Sequence, residues 1–92
     1  MMRASIKLPA NMRGLAGDKA THEMNAETVG EALKSLCEQF PGLEPRLLND
    51  RGEVLSFVNV FVDSKNLREL DGEDTLLTEN AEILIVAALA GG

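Results

Sequence analysis

Few residues in this chain are of types that could do chemistry, and the most telling pair stands at its end. Gly91 and Gly92 follow directly on an apolar run, residues 83–90. A carboxylate is a poor electrophile, so a chain that reacts through its terminus must first have one oxygen converted into a leaving group. Adenylation does this, and it requires the terminus to enter another protein's active site. Glycine lacks a Cβ and lets a backbone adopt extended or positive-φ conformations at close quarters. A terminal segment is also free to move unless something ties it down. A bare Gly-Gly end is equally an ordinary frayed end, because glycine is common in any chain, so its meaning depends on what precedes it.

The other candidates point away from side-chain chemistry. Cys37 is the single cysteine, which excludes an intramolecular disulfide and a thiolate metal cluster and suits a reducing cytoplasm. It falls on an apolar helical stripe, where a free thiol behaves as a small hydrophobe; a sulfur-relay thiol would need exposure and a lowered pKa. His22 has no second His or Cys near it in sequence, so no metal site is expected, only a strand residue with one hydrogen bond. Glu69, Asp71, Glu73, Asp74, Glu79 and Glu82 form either a solvated face or a surface for a basic partner. No carboxylate pair, nucleophile–base set or phosphate loop is present, so the chain is not expected to be an enzyme on its own.

Fifteen acidic against nine basic residues give a net charge of −6. Nucleic-acid binding, which needs clustered Lys and Arg, is not expected; a partner with a basic surface is. The longest apolar run is far short of the roughly 20 residues of a membrane helix, and the start of the chain carries no signal-like apolar run. No membrane association is expected, and the cytoplasm is the expected location.

The elements that must position these residues are legible from periodicity. A chain of 92 residues is one domain with one core, and with three Phe, no Trp and no Tyr that core must be built mainly of Leu, Ile and Val. Residues 3–8 alternate and predict a half-buried strand ended by Pro9. Residues 11–18 read as a loop, and residues 19–24 as a weaker strand pairing back as a hairpin. Residues 28–40 carry Val29, Ala32, Leu33, Leu36, Cys37 and Phe40 at helical spacing. Thr28 with Glu31 predicts a capping box, and Pro41-Gly42 stops the helix. A short helical turn is expected at 43–48, a polar turn at 49–53, a strand at 57–62, a short edge strand at 67–70, and a last strand at 82–87. One striped helix across one sheet makes a two-layer α+β domain.

Both later strands are apolar on both faces, which is more than a one-sided sheet needs. Phe57 and Phe61, the bulkiest residues of their strand, are expected inward to fill an aromatic-poor core. Val60, Val62, Leu84 and Val86 would then face outward as a partner-docking patch, or simply as good strand formers in half-exposed positions. A register error of one residue would exchange the two sets.

The hairpin, the Thr28-capped helix, FVNVFV at 57–62 and EILIVAALAGG at 82–92 resemble the ThiS/MoaD family of sulfur carriers over essentially the whole chain. The closest marks are Phe57-Val58-Asn59-Val60, similar to the family's VN strand, and a final strand ending in small residues and Gly-Gly. The family's usual ending has a proline before the glycines; Ala87 and Ala88 stand there in this chain, which bears on which activating enzyme is recognised. EPRLL at 44–48 and FVNVFVDSKNLR at 57–68 look more like the cysteine-forming, CysO-like carriers than the molybdopterin or thiamin carriers.

This resemblance implies a ubiquitin-like β-grasp fold: a mixed four- to five-stranded sheet with one main helix across it, over residues 1–87, followed by a flexible tail at 88–92. It implies a partner of the ubiquitin-activating type that uses ATP to adenylate Gly92, with Gly91 and Ala90 bound along the way. The thiocarboxylate formed there, a soft anionic nucleophile, would pass sulfur to an accepting synthase, with a cysteine-type acceptor favoured. No cofactor or metal is expected to reside on the chain. The alternatives are a molybdopterin- or thiamin-type carrier, a ubiquitin-like modifier forming isopeptide bonds, or a binding module whose tail is incidental.

Overall fold

The computed structural model describes residues 1–87. Alternation at the start of the chain produces β1 (Met2–Lys7), which buries Ala4 and Ile6 and exposes Arg3 and Lys7. It pairs antiparallel with β2 (Thr21–Ala26), Met2 opposite Ala26 and Lys7 opposite Thr21, as the hairpin reading expects. The connection is not all loop: Pro9 caps a single helical turn, α1 (Ala10–Arg13). Met12 and Ala16 from this segment are buried. One pair of apolar residues four apart is too short a pattern to announce a helix in sequence.

The main helix, α2 (Val29–Gln39), buries Val29, Ala32, Leu33, Leu36 and Cys37, the predicted stripe. Each buried aliphatic side chain of this size contributes about 1.5–3 kcal/mol to holding the helix on the sheet. The Thr28 hydroxyl accepts from the Glu31 N–H at 3.2 Å. Glu31 reaches one residue further back than a reciprocal box requires, its carboxylate accepting from the Glu27 N–H at 3.0 Å. A 3₁₀ turn (Pro41–Leu43) and a short helix, α3 (Glu44–Leu47), follow, and Leu43 and Leu47 close one end of the core.

The sheet is completed by β3 (Val58–Val62), β4 (Lys65–Asn66) and β5 (Ala81–Ala87), in the order β2-β1-β5-β3-β4. The central β5 runs parallel to β1 and antiparallel to β3. This is the mixed five-stranded sheet with one main helix expected of an α+β β-grasp domain. The edge strand, however, lies at Lys65–Asn66, ahead of the expected 67–70, which instead begins with a 3₁₀ turn (Leu67–Glu69). The Asn66 side chain accepts from the Arg68 N–H at 2.9 Å. That local bond turns the backbone off the sheet edge.

The expected faces of β3 are reversed. Val60 and Val62 are 1% and 6% exposed and lie in the core with Val58, Ile83 and Ile85. Phe57 is 51% exposed, and no phenylalanine of the chain is fully buried. Register compels this: Val60 stands opposite Ile85 and Val62 opposite Ile83, and directly paired residues share a face. Volume was a poor guide, because a layer of Leu, Ile, Val and Met fills the space between sheet and helix without aromatic rings. Val60 and Val62 are therefore core residues, and only Leu84 and Val86 of the expected patch face outward.

Candidate functional site

Each β5 residue has a defined neighbour, and these pairs build the surface beside the start of the terminal segment. Ala87 pairs with Val58, Val86 with Asn59, and Leu84 with Phe61 on one side and Lys7 on the other. Ala90, Gly91 and Gly92, the expected reacting segment, lie outside the described residues. Leu84 and Val86 are each 41% exposed on the outer face, where Phe61, opposite Leu84, accompanies them instead of Val60 and Val62, while the exposed Phe57 lies in the turn just ahead of β3. The apolar strip is bordered by the polar β1 residues Ser5 and Lys7. Two shallow hollows flank Leu84, about 430 Å³ beside Ser5, Lys7 and Thr21 and about 250 Å³ beside Phe61 and Ser64. These are surface depressions, not enclosed sites.

The sequence held a signal for this arrangement in Asn59. It has the same parity as Phe57 and Phe61, so turning the phenylalanines inward would also bury its amide. An unsatisfied buried amide costs about 1–3 kcal/mol. Outward, Asn59 accepts from the Arg68 guanidinium at 2.8 Å. Arg68, not singled out in sequence, also donates to the carbonyls of Val58, Leu55 and Ser56 at 3.0, 3.1 and 3.2 Å.

The two side chains singled out in sequence, Cys37 and His22, are both enclosed. Cys37 is buried, and burial, with the Glu44 carboxylate second, pushes its thiol up to about 11. It is a neutral thiol at physiological pH, the opposite of a relay nucleophile. His22 is buried with its Nε2 3.1 Å from the Lys19 carbonyl oxygen, and its ring meets Phe40 edge-on at 5.2 Å between centroids. That is the single-hydrogen-bond strand residue expected.

The acidic group divides. Glu73 accepts from the Val54 N–H at 2.8 Å and Glu79 from the Arg3 N–H at 3.1 Å, so part of this group fastens loops. A third hollow, about 570 Å³, lies between the start of α2 and the 49–53 turn and mixes Lys34 and Arg51 with Glu31, Glu44 and Asp50. It holds no nucleophile–base pair. Among the described residues no helix is long and apolar enough to cross a membrane.

Comparison with known proteins gives this geometry a family. The ThiS family model matches residues 6–92. Small archaeal modifier protein 3 of Haloferax volcanii is 32% identical, the match covering 99% of this chain and 100% of that protein. Sulfur carrier protein CysO of Mycobacterium tuberculosis is 25% identical with the same coverage. The solution structure of small archaeal modifier protein 1 from Methanosarcina acetivorans is 30% identical and superimposes with a TM-score of 0.86, covering 100% of this chain and 98% of that one. The fold is the ubiquitin-like β-grasp, the relatives are small carrier and modifier proteins, and the chain belongs to the ThiS family.

Proposed function

We propose that this chain is a sulfur carrier that reacts through the carboxylate of Gly92 and is itself a co-substrate, not an enzyme. A carboxylate oxygen attacks the α-phosphorus of ATP on an adenylating partner, and pyrophosphate leaves. A sulfide donor then attacks the carbonyl carbon, AMP leaves with the oxygen, and a thiocarboxylate remains. Ala90 and Gly91 thread the partner's channel, which the small side chains leave unobstructed. The outer strip of Phe61, Leu84 and Val86, with Phe57, meets the partner; Val60 and Val62, being core, have no part in it.

The observation that carries the reading is that the family match runs through Gly92, beyond the end of β5, whose outer residues Leu84 and Val86 are exposed. The CysO relatives favour a cysteine-type acceptor, served by an accepting synthase. The lone buried Cys37 fits a reducing, cytoplasmic setting.

A second reading, a protein modifier joined to lysines by isopeptide bonds, draws on the modifier relative at 32% identity. Both readings need the same activation and differ in product. Incubating the chain with an adenylating enzyme of this type, ATP and a sulfide source should give a mass gain equal to one oxygen replaced by sulfur, located at Gly92. Deleting Gly92 should abolish it. Higher-mass conjugates on a denaturing gel would favour the modifier, and absence of both adenylate and sulfur would end the proposal.

A further inference from the structure

Arg68 lies in an exposed position, yet its guanidinium is committed to the backbone around it. Nη2 donates to the carbonyls of Val58, Leu55 and Ser56, and Nη1 to the side chain of Asn59. Four acceptors from residues 55–59 thus converge on one planar fork, a geometry that a lysine ammonium does not reproduce.

Sheet topology supplies the reason. β4 pairs with β3 only at Phe61 and Val62, so among the described residues no strand lies on the outer edge of the first half of β3. The Val58 carbonyl would otherwise be an open edge group of the kind that recruits stray strands. Arg68 places side-chain donors where a longer β4 would have placed backbone N–H groups. On its other edge the same half of β3 pairs with the end of β5, Val58 with Ala87 and Asn59 with Val86. The residues that Arg68 grips are therefore those that hold the last two described residues of β5.

We propose that Arg68 is a positioning residue for the terminal segment. By clamping Val58 and Asn59 from outside, it fixes Ala87, the point from which residues 88–92 depart toward an activating enzyme. This rests on the reading that Gly92 is the reacting end. Residues 88–92 can reach at most about 17 Å from Ala87, so the place where Ala87 leaves the sheet bounds where Gly92 can be delivered. Misplacement by about 1 Å is enough to cost about a hundredfold in a reaction that depends on alignment. Docking through Leu84 and Val86 and alignment through Arg68 are separate contributions, the first appearing in KM and the second in kcat.

The test compares wild type, Arg68→Ala, Arg68→Lys and Leu84→Ala in ATP–pyrophosphate exchange with the adenylating enzyme, each variant first shown to be folded by its thermal transition. Arg68→Ala should lower kcat by about tenfold or more with KM within about twofold, Arg68→Lys should fall between it and wild type, and Leu84→Ala should raise KM instead. Amide hydrogen exchange at Asn59 and Val86 should speed up in Arg68→Ala while Ile6 is unchanged. A folded Arg68→Ala with wild-type kcat, a loss confined to KM, or unaltered exchange at Val86 would overturn the proposal. If Arg68→Ala does not fold, Arg68→Lys and Asn59→Ala, each removing part of the clamp, decide by the same readouts. If wild type itself is never adenylated, the carrier and modifier readings fail, while the exchange measurement still decides whether Arg68 holds the end of β5.

Discussion

Substituting Gly30 by alanine sets two calculable effects against each other. Gly30 is the second residue of α2, and alanine is favoured over glycine in a helix by up to about 1 kcal/mol, less in the first turn. Against this, a Cβ at Gly30 would stand 3.0 Å from both the Cβ and the carbonyl oxygen of Glu73. Carbon contacts settle near 3.5–4.0 Å, so helix and turn would have to part by roughly half an ångström. The Glu73 backbone has little room to retreat. Its turn is closed by the Asp74 N–H to Asp71 carbonyl and Thr75 N–H to Gly72 carbonyl bonds, and its carboxylate holds the Val54 N–H. Overpacking of this kind costs about 1–3 kcal/mol, so Gly30→Ala should be destabilised by about 1–2 kcal/mol net. For a domain of this size that is a melting temperature lower by roughly 5–10 °C.

Gly14→Ala is the control. Its φ of −63° is helical and its nearest outside atom is 3.9 Å away, so alanine there should stabilise by about 0.4–1 kcal/mol through the unfolded chain alone. Urea unfolding followed by far-ultraviolet circular dichroism reads both. A Gly30→Ala protein at least as stable as wild type, with an unchanged m-value, would refute the claim that close approach, not helix propensity, keeps glycine at this position.

Two further outcomes follow from burial. Val60→Ala should cost about 2–3 kcal/mol and leave the KM of a folded sample for the activating enzyme unchanged, whereas Leu84→Ala should cost less than about 1 kcal/mol and raise KM; the opposite pattern in paired unfolding and exchange assays would return Val60 to the surface. For Cys37, whose thiol is raised from 9.0 to about 11, the folded chain keeps a proton that the unfolded chain gives up, so this contribution to stability is full below pH 9 and is lost as pH rises through about 11. The stability of wild type relative to Cys37→Ala should therefore fall by roughly 2 kcal/mol between pH 8 and pH 11, and a flat difference in urea unfolding across that range would contradict a buried neutral thiol.

What was legible in the sequence depended on repetition within a segment. β1 and α2 each carry several apolar residues at one period and appear within a residue of where the pattern places them. β2, with only Met24 and Ala26 as apolar residues, spans Thr21–Ala26, two residues later than the expected 19–24. β3 was found but turned over, because FVNVFV is apolar at both parities and only Asn59 distinguishes them. The β3–β4 hairpin was hidden for a chemical reason. Its turn places Asp63 and Ser64 at φ 49° and 75°, a geometry usually announced by Asn-Gly, and neither residue advertises it. The Arg68 fork was out of reach for a different reason: its acceptors lie 9 to 13 residues away and include three backbone carbonyls, which no residue type signals.

The single-residue spacing of β5 divides stability from recognition along one strand. Ile83 and Ile85 are in the core while Leu84 and Val86, their immediate neighbours, are on the surface. The strand cannot slide to improve its outer contacts, because a shift of one residue would bury Leu84 and Val86 and expose both isoleucines. Burial of Leu84 and Val86 would offset most of what the isoleucines lose, but the same shift turns the exposed Glu82 toward the core. An unpaired buried carboxylate costs several kcal/mol, a large share of the stability of a domain this small. A partner reading the outer strip therefore meets a surface whose register the core enforces. The same enforcement reaches Ala87 through Val58 and Asn59, so the chemistry proposed for Gly92 would inherit its starting point from packing on the opposite face of the sheet.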